Sequence, residues 1–187
     1  LKVDPFSVCG PYTLLGGYKK LDLSEKVSRN FTNLPPHYSG RIRLLFMKID
    51  SWDDGDVFYL KLDSNRLLEL KFKYNDDVQM TGNLCGSLPP NPIDFNEAER
   101  TLSLIFNHSQ PSLYIMMEGV YNTGLLDEYW GFSRFELYLY KCSKSCKTCS
   151  NSVSCLSCVV KGVLNLLKSE GGSEFSLIGL FWFKEAH

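Results

Sequence analysis

Between residues 12 and 140, apolar side chains recur at every second position, and the interruptions carry Gly, Pro, Asn or Asp. This alternation predicts half-buried strands separated by turns. Leu68, Leu70 and Phe72 alternate with Glu69, Lys71 and Lys73, so this stretch is expected to set three side chains in a core and three in water. The same rule points Leu102, Leu104 and Phe106 inward on a second strand. It does so for Leu113, Ile115 and Met117 on a third, and for Phe135, Leu137 and Leu139 on a fourth. Residues 41–49 break the alternation, because Leu44, Leu45, Phe46 and Met47 are apolar on both faces. That predicts a central strand covered on both sides, or on one side and by a loop on the other. With residues 12–18 and 57–62 the pattern yields seven or eight short strands, which suits an all-β fold: an antiparallel, jelly-roll-like β-sandwich over residues 1–141.

The breaks organise the rest. Pro35 and Pro36 remove two successive ladder donors, so residues 33–37 are expected to be an ordered loop leading into the 41–49 strand. Residues 83–92 and 122–128 are further loops. A cysteine-rich appendage spans residues 142–158, and an apolar tail spans 159–187. Within the tail, residues 159–167 can form two helical turns, and residues 175–183 are an uncharged apolar run after Gly171, Gly172 and Ser173. The run is far below the roughly 20 residues of a membrane helix, so it is expected to be buried in protein. It either packs back on its own domain as a strand or short helix, or docks on a neighbouring subunit by strand addition.

Charge removes one class of partner. Twenty basic against twenty-one acidic residues leave a formal charge of -1, with no basic block to neutralise a run of phosphates, so nucleic acid is not expected. Seven cysteines, five of them between Cys142 and Cys158, point to an oxidising compartment and hence to a secreted or cell-surface protein. Asn30-Phe31-Thr32 and Asn107-His108-Ser109 are sequons that make Asn30 and Asn107 candidate glycosylation sites.

Candidate chemistry is sparse. Asp50, Asp53, Asp54 and Asp56 cluster around Trp52, and Asp127 and Glu128 share another loop; such hard oxygen donors suit calcium, although the spacing is not that of an EF-hand and solvated turns carry the same residues. Exposed Trp52 or Tyr38 would stack on a sugar ring, whereas Trp in a sandwich commonly joins the core. His37 follows two prolines as an ordered loop residue and joins Trp52 and Tyr38 as a binding candidate. No nucleophile elbow, His-Glu-x-x-His helix or phosphate-binding glycine loop accompanies it, so an enzyme is not expected. The 142–158 segment holds two Cys-x-x-Cys pairs separated by five residues. A zinc ribbon needs about a dozen or more, which favours disulfides over metal.

Several pieces carry a resemblance: Leu14-Leu15-Gly16-Gly17-Tyr18, Phe31-Thr32-Asn33-Leu34-Pro35-Pro36-His37-Tyr38, Lys48-Ile49-Asp50-Ser51-Trp52-Asp53, Leu84-Cys85-Gly86 and Asp127-Glu128-Tyr129-Trp130-Gly131-Phe132. In order and spacing the chain resembles large extracellular and surface proteins, abundant in ciliates, that pair a jelly-roll-like module with furin-type cysteine-rich repeats. The Trp130-Gly131-Phe132 strand is also similar to the last strand of MAM and reelin-type sandwiches. The furin-type resemblance implies bridges Cys142–Cys149 and Cys146–Cys155, and then Cys9–Cys85. Cys158 is left over, bound to another chain or buried as a free thiol. The function so implied is a non-catalytic structural or adhesive module, a subunit of a surface coat or filament whose partners are its own copies or other extracellular proteins. The competing expectation is a lectin-like module binding glycans or another ligand with calcium.

Overall fold

A computed structural model describes residues 4–72, 84–86, 97–122 and 128–158, together with the backbone of residues 80–82 and 175–177. The strands are β1 (Phe6–Cys9), β2 (Tyr12–Gly16), β3 (Lys26–Phe31), β4 (His37–Ile49), β5 (Val57–Leu62), β6 (Asn65–Lys71), β7 (Met80–Gly82), β8 (Glu97–Asn107), β9 (Leu113–Val120), β10 (Tyr129–Lys141), β11 (Cys146–Cys149), β12 (Cys155–Cys158) and β13 (Phe175–Leu177). No helix occurs among the described residues, hence none long and apolar enough to cross a membrane. One sheet runs β1-β2-β10-β4-β8-β7, with β13 also on β10; a second runs β3-β9-β5-β6. A separate two-stranded sheet joins β11 to β12. Pairing is antiparallel throughout and nested: β2 with β10, β3 with β9, β4 with β8, β5 with β6. Rolling one long antiparallel ribbon into two facing sheets produces that order, and the result is a jelly-roll-like sandwich.

The core forms where the alternating faces meet. Ile42, Leu44 and Phe46 of β4 and Leu137 and Leu139 of β10 pack with Val27 of β3, Phe58 and Leu60 of β5, and Leu113, Ile115 and Met117 of β9. At roughly 1.5–3 kcal/mol for each fully buried large apolar side chain, this layer is the main source of stability. Leu68, Leu70, Leu104 and Phe135 are only partly buried at its margin. The two-faced strand is central as expected: β4 lies between β10 and β8, and its outer side chains Met47 and Ile49 form a second apolar cluster with Cys9 and Leu14. Tyr12, Tyr18 and Tyr129 cover that cluster, so a connection and a hairpin do the work of a third layer.

A β-bulge sets the phase of β10. Trp130 and Phe132 point into the core at even positions, whereas Leu137 and Leu139 do so at odd ones. The register against β4 shifts between Ser133 and Glu136, where Arg134 takes φ 52°, and the extra residue moves the inward face from even to odd numbers. Without it the charged Arg134 would face the core.

Residues 33–36 form the expected loop, with Leu34 buried and its N–H donated to Pro111 O. The strand begins earlier than the prolines suggest, at His37. Of the other two loops only residues 84–86, 122 and 128 are described, and the helical turns expected at 159–167 lie outside the described residues. Phe175–Leu177 adds to its own β10, opposite Leu137–Leu139, on the flank that β2 occupies at Gly131 and Phe132.

Candidate functional site: the cysteine-rich hairpin and its junction

The hairpin grows from the end of β10. Lys141 still pairs with His37, and the next residue donates its N–H to Pro36 O at 2.9 Å, so the proline loop holds the base of the appendage. Ser143 then turns the chain, its carbonyl accepting from Cys146 N, and β11 and β12 run antiparallel with Cys146 opposite Cys158 and Cys149 opposite Cys155. Disulfides join Cys142 to Cys149 and Cys146 to Cys155. Cys146 and Cys149 are buried, while residues 150–158 are exposed throughout. Too few apolar side chains are enclosed here to form a core, and two bridges in fourteen residues supply the constraint instead.

Cys158 is free and exposed, which corrects the expectation of a buried thiol. Its Sγ lies 4.0 Å from Cys155 Sγ, and Val153 in the turn and Leu156 in β12 stand open to solvent on the same hairpin. Thr148 Oγ1 and Ser157 Oγ hydrogen-bond across the two strands at 2.5 Å. Cys146 Sγ, carrying no hydrogen in the bridge, accepts from Ser143 Oγ at 3.0 Å.

Behind the junction lies a chain of rings. His37 is buried at the start of β4, with Nδ1 2.6 Å from Pro35 O and Nε2 2.7 Å from His108 Nδ1. A carbonyl only accepts, so Nδ1 of His37 carries hydrogen, and in the neutral ring its Nε2 accepts from His108 Nδ1. His108 Nε2 lies 3.1 Å from Asp63 Oδ2, an ion-pair distance without the alignment of a hydrogen bond. Burial pushes His37 below the ordinary imidazole range; the Pro35 carbonyl opposes the shift and His108 adds to it. Asp63 sits in the β5–β6 turn with φ 47° and also accepts from Tyr114 N, so the chain of contacts reaches from one sheet to the other. His37 was expected as a loop residue with a binding role; its burial makes it structural. Nothing in the linear sequence ties it to Asp63 or to His108, which is 71 positions away.

The opposite end of the sandwich holds the acidic residues and the third bridge. Cys9, fully buried, is bonded to Cys85 across a sequence separation of 76. The 84–86 loop hangs on buried Glu97, whose carboxylate accepts from Leu84 N at 2.6 Å and Gly86 N at 2.9 Å. A Cβ on Gly86 would fall 1.8 Å from Asp50 Oδ1, so only glycine fits. Lys48 is buried in the same region, and desolvation lowers it to about 8 against the pull of Glu97, Asp50 and Asp56. Glu97 did not stand out in the sequence, and Lys48 entered only as the first residue of the 48–53 piece, with nothing to mark it as buried.

These facts change the reading of the calcium candidates. Asp56 is fully buried and spends one oxygen on Asp53 N at 2.7 Å and the other on Asn122 N at 2.9 Å. Asp50 is fully buried with φ 62°, Glu128 is buried, Asp54 is exposed, and Asp127 lies outside the described residues. Among the described residues no three His, Cys, Asp or Glu side chains are gathered to hold a metal ion. Trp52 is fully buried, packed edge-on to Phe46 and Phe72, with Nε1 donating to Tyr129 O at 3.0 Å. It is a core residue and cannot stack on a sugar. Tyr38 is partly exposed, its ring 6.2 Å from that of Tyr140. Asn30 and Asn107 are both exposed at strand positions.

No family model, curated protein or solved structure matches this chain.

Proposed function

We propose that the chain is an extracellular, non-catalytic structural or adhesive module, a building unit of a surface coat or filament that joins neighbouring chains through its cysteine-rich hairpin. The observation that carries this reading is the free, exposed Cys158 on a hairpin otherwise closed by two disulfides, which also exposes Val153 and Leu156. A thiol that persists beside three intramolecular bridges is available for a fourth between chains, and these apolar side chains give a partner surface to bury. The likeness to ciliate surface proteins with furin-type repeats supports the same role, and three disulfides suit an oxidising exterior. Exposed Asn30 and Asn107 are open to glycosylation there.

The test is the native mass of the oxidised protein with and without Cys158→Ser. Disulfide-linked multimers on non-reducing gels that vanish in the variant are expected. A wild-type protein that stays monomeric under oxidation, or that multimerises equally as Cys158→Ser, overturns the reading.

A further inference from the structure

We infer that the hairpin carries out an internal thiol–disulfide exchange, in which the Cys158 thiolate opens the Cys146–Cys155 bridge and the free thiol moves from an exposed position to a buried one. This concerns the hairpin's own sulfurs and operates in a chain whose Cys158 is not bonded to another chain, so its test is separate from that of multimer formation. Three observations lead to it. First, Cys158 Sγ is 4.0 Å from Cys155 Sγ, close to van der Waals contact, so the nucleophile already adjoins the sulfur that it attacks. Second, the bonded pair is diagonal in the ladder: Cys146 stands opposite Cys158, not opposite the Cys155 to which it is joined, and all three sulfurs belong to one small sheet. Third, the leaving sulfur is prepared. Ser143 Oγ donates to Cys146 Sγ at 3.0 Å, and a donor at that place stabilises the thiolate as it departs.

The step balances without an outside oxidant. Cys158 loses its proton and attacks Cys155 Sγ, the Cys155–Cys158 bond forms, the Cys146–Cys155 bond breaks, and the electron pair and a proton end on Cys146. One bridge replaces another, and one thiol per hairpin remains. The new ring has the Cys-x-x-Cys spacing found in redox-active disulfides, and its closure requires β12 to bend out of its extended form. Cys146 is 3% exposed, so a thiol placed there is withdrawn from solvent, whereas one on Cys158 is presented to it. The hairpin therefore has a presenting and a withdrawn isomer of the same oxidation state.

Peptide mapping decides. The purified full chain, never reduced, is held at about pH 8, then acid-quenched at intervals, unfolded and alkylated with N-ethylmaleimide. The expected result is that label begins on Cys158 and passes in part to Cys146 as a Cys155–Cys158 peptide appears, with the total label constant. At about pH 5 the transfer is expected to stall. Ser143→Ala, which removes the donor to the leaving sulfur but no cysteine, is expected to slow it several-fold. Label that stays on Cys158 indefinitely overturns the inference, as does label that moves to Cys155, which would mean attack on the other sulfur. Because the readout is the position of label within one chain, failure of exchange is distinguishable from failure to form multimers.

Discussion

His37 Nε2 and His108 Nδ1 meet at 2.7 Å with their rings stacked 5.0 Å apart, one at the start of β4 and the other just past the end of β8. The contact joins two ring nitrogens, one donating and the other accepting, and a second proton on His37 forces the pair to rearrange. His37 is held below its ordinary range by burial first, so the unfolded chain binds this proton more readily than the folded one. Stability from this group is therefore full above the unfolded value of about 6.5 and is lost as pH falls below it. Urea midpoints measured across mildly acidic to neutral pH are expected to decline on acidification with a slope of at most one proton. His37→Gln is expected to flatten the decline; an unchanged profile would exclude His37 as its source.

Removing the Cys9–Cys85 bridge tests the opposite end. The separation is 76 residues, and chain entropy for a loop of this size gives about 4 kcal/mol, with real bridges commonly giving 2–5. Because Cys9 is itself fully buried beside Met47 and Ile49, the double variant Cys9→Ala, Cys85→Ala is preferable to serine. A lowered urea midpoint corresponding to about 2–5 kcal/mol is expected.

Trp52→Ala is expected to cost about 3–5 kcal/mol, as large aromatic truncations in cores do. Trp52→Phe keeps most of the packing against Phe46 and Phe72 but leaves Tyr129 O without its indole donor, so a smaller loss of about 1–3 kcal/mol is expected. Thermal or urea unfolding measures both.

Asp56→Ala strips acceptors from Asp53 N and Asn122 N and is expected to destabilise by about 1–3 kcal/mol. Since both oxygens already serve backbone donors, calcium is expected to leave the unfolding midpoint of the wild type unchanged. A rise on adding calcium, reversed by chelator, would return this loop to the list of metal sites.

Deleting residues 173–187 removes β13 and leaves the β10 backbone at Leu137–Leu139 without its strand on that flank. An open edge in a sheet invites pairing with another chain. Concentration-dependent self-association by light scattering is the expected outcome, against a stable monomer if the tail contributes nothing to β10.

Much of the sandwich was legible because burial on one face writes itself into a two-residue period, as at Leu113, Ile115 and Met117. β3 escaped because Arg29 stands at the inward parity between Val27 and Phe31, its guanidinium lying over the Phe31 ring at 4.7 Å, so a charged residue interrupts the pattern without interrupting the strand. β1 escaped for the converse reason: Phe6 and Val8 are exposed, and the strand is fixed through Cys9 more than through an apolar face. The acidic run around Trp52 was visible as composition, but its role as a set of backbone acceptors depends on Asn122, 66 positions from Asp56. The partners of His37 were hidden in the same way, since contacts between distant strand ends leave no local periodicity.

The two hairpin bridges interleave, 142 to 149 and 146 to 155, so neither loop is closed before the other opens. With both bridges in place, a single proteolytic cut anywhere between Cys142 and Cys155 therefore leaves both fragments tethered by at least one bridge, and the strand bearing Cys158 is not shed. For a segment exposed throughout residues 150–158, that topology confers tolerance to nicking which no amount of local burial provides.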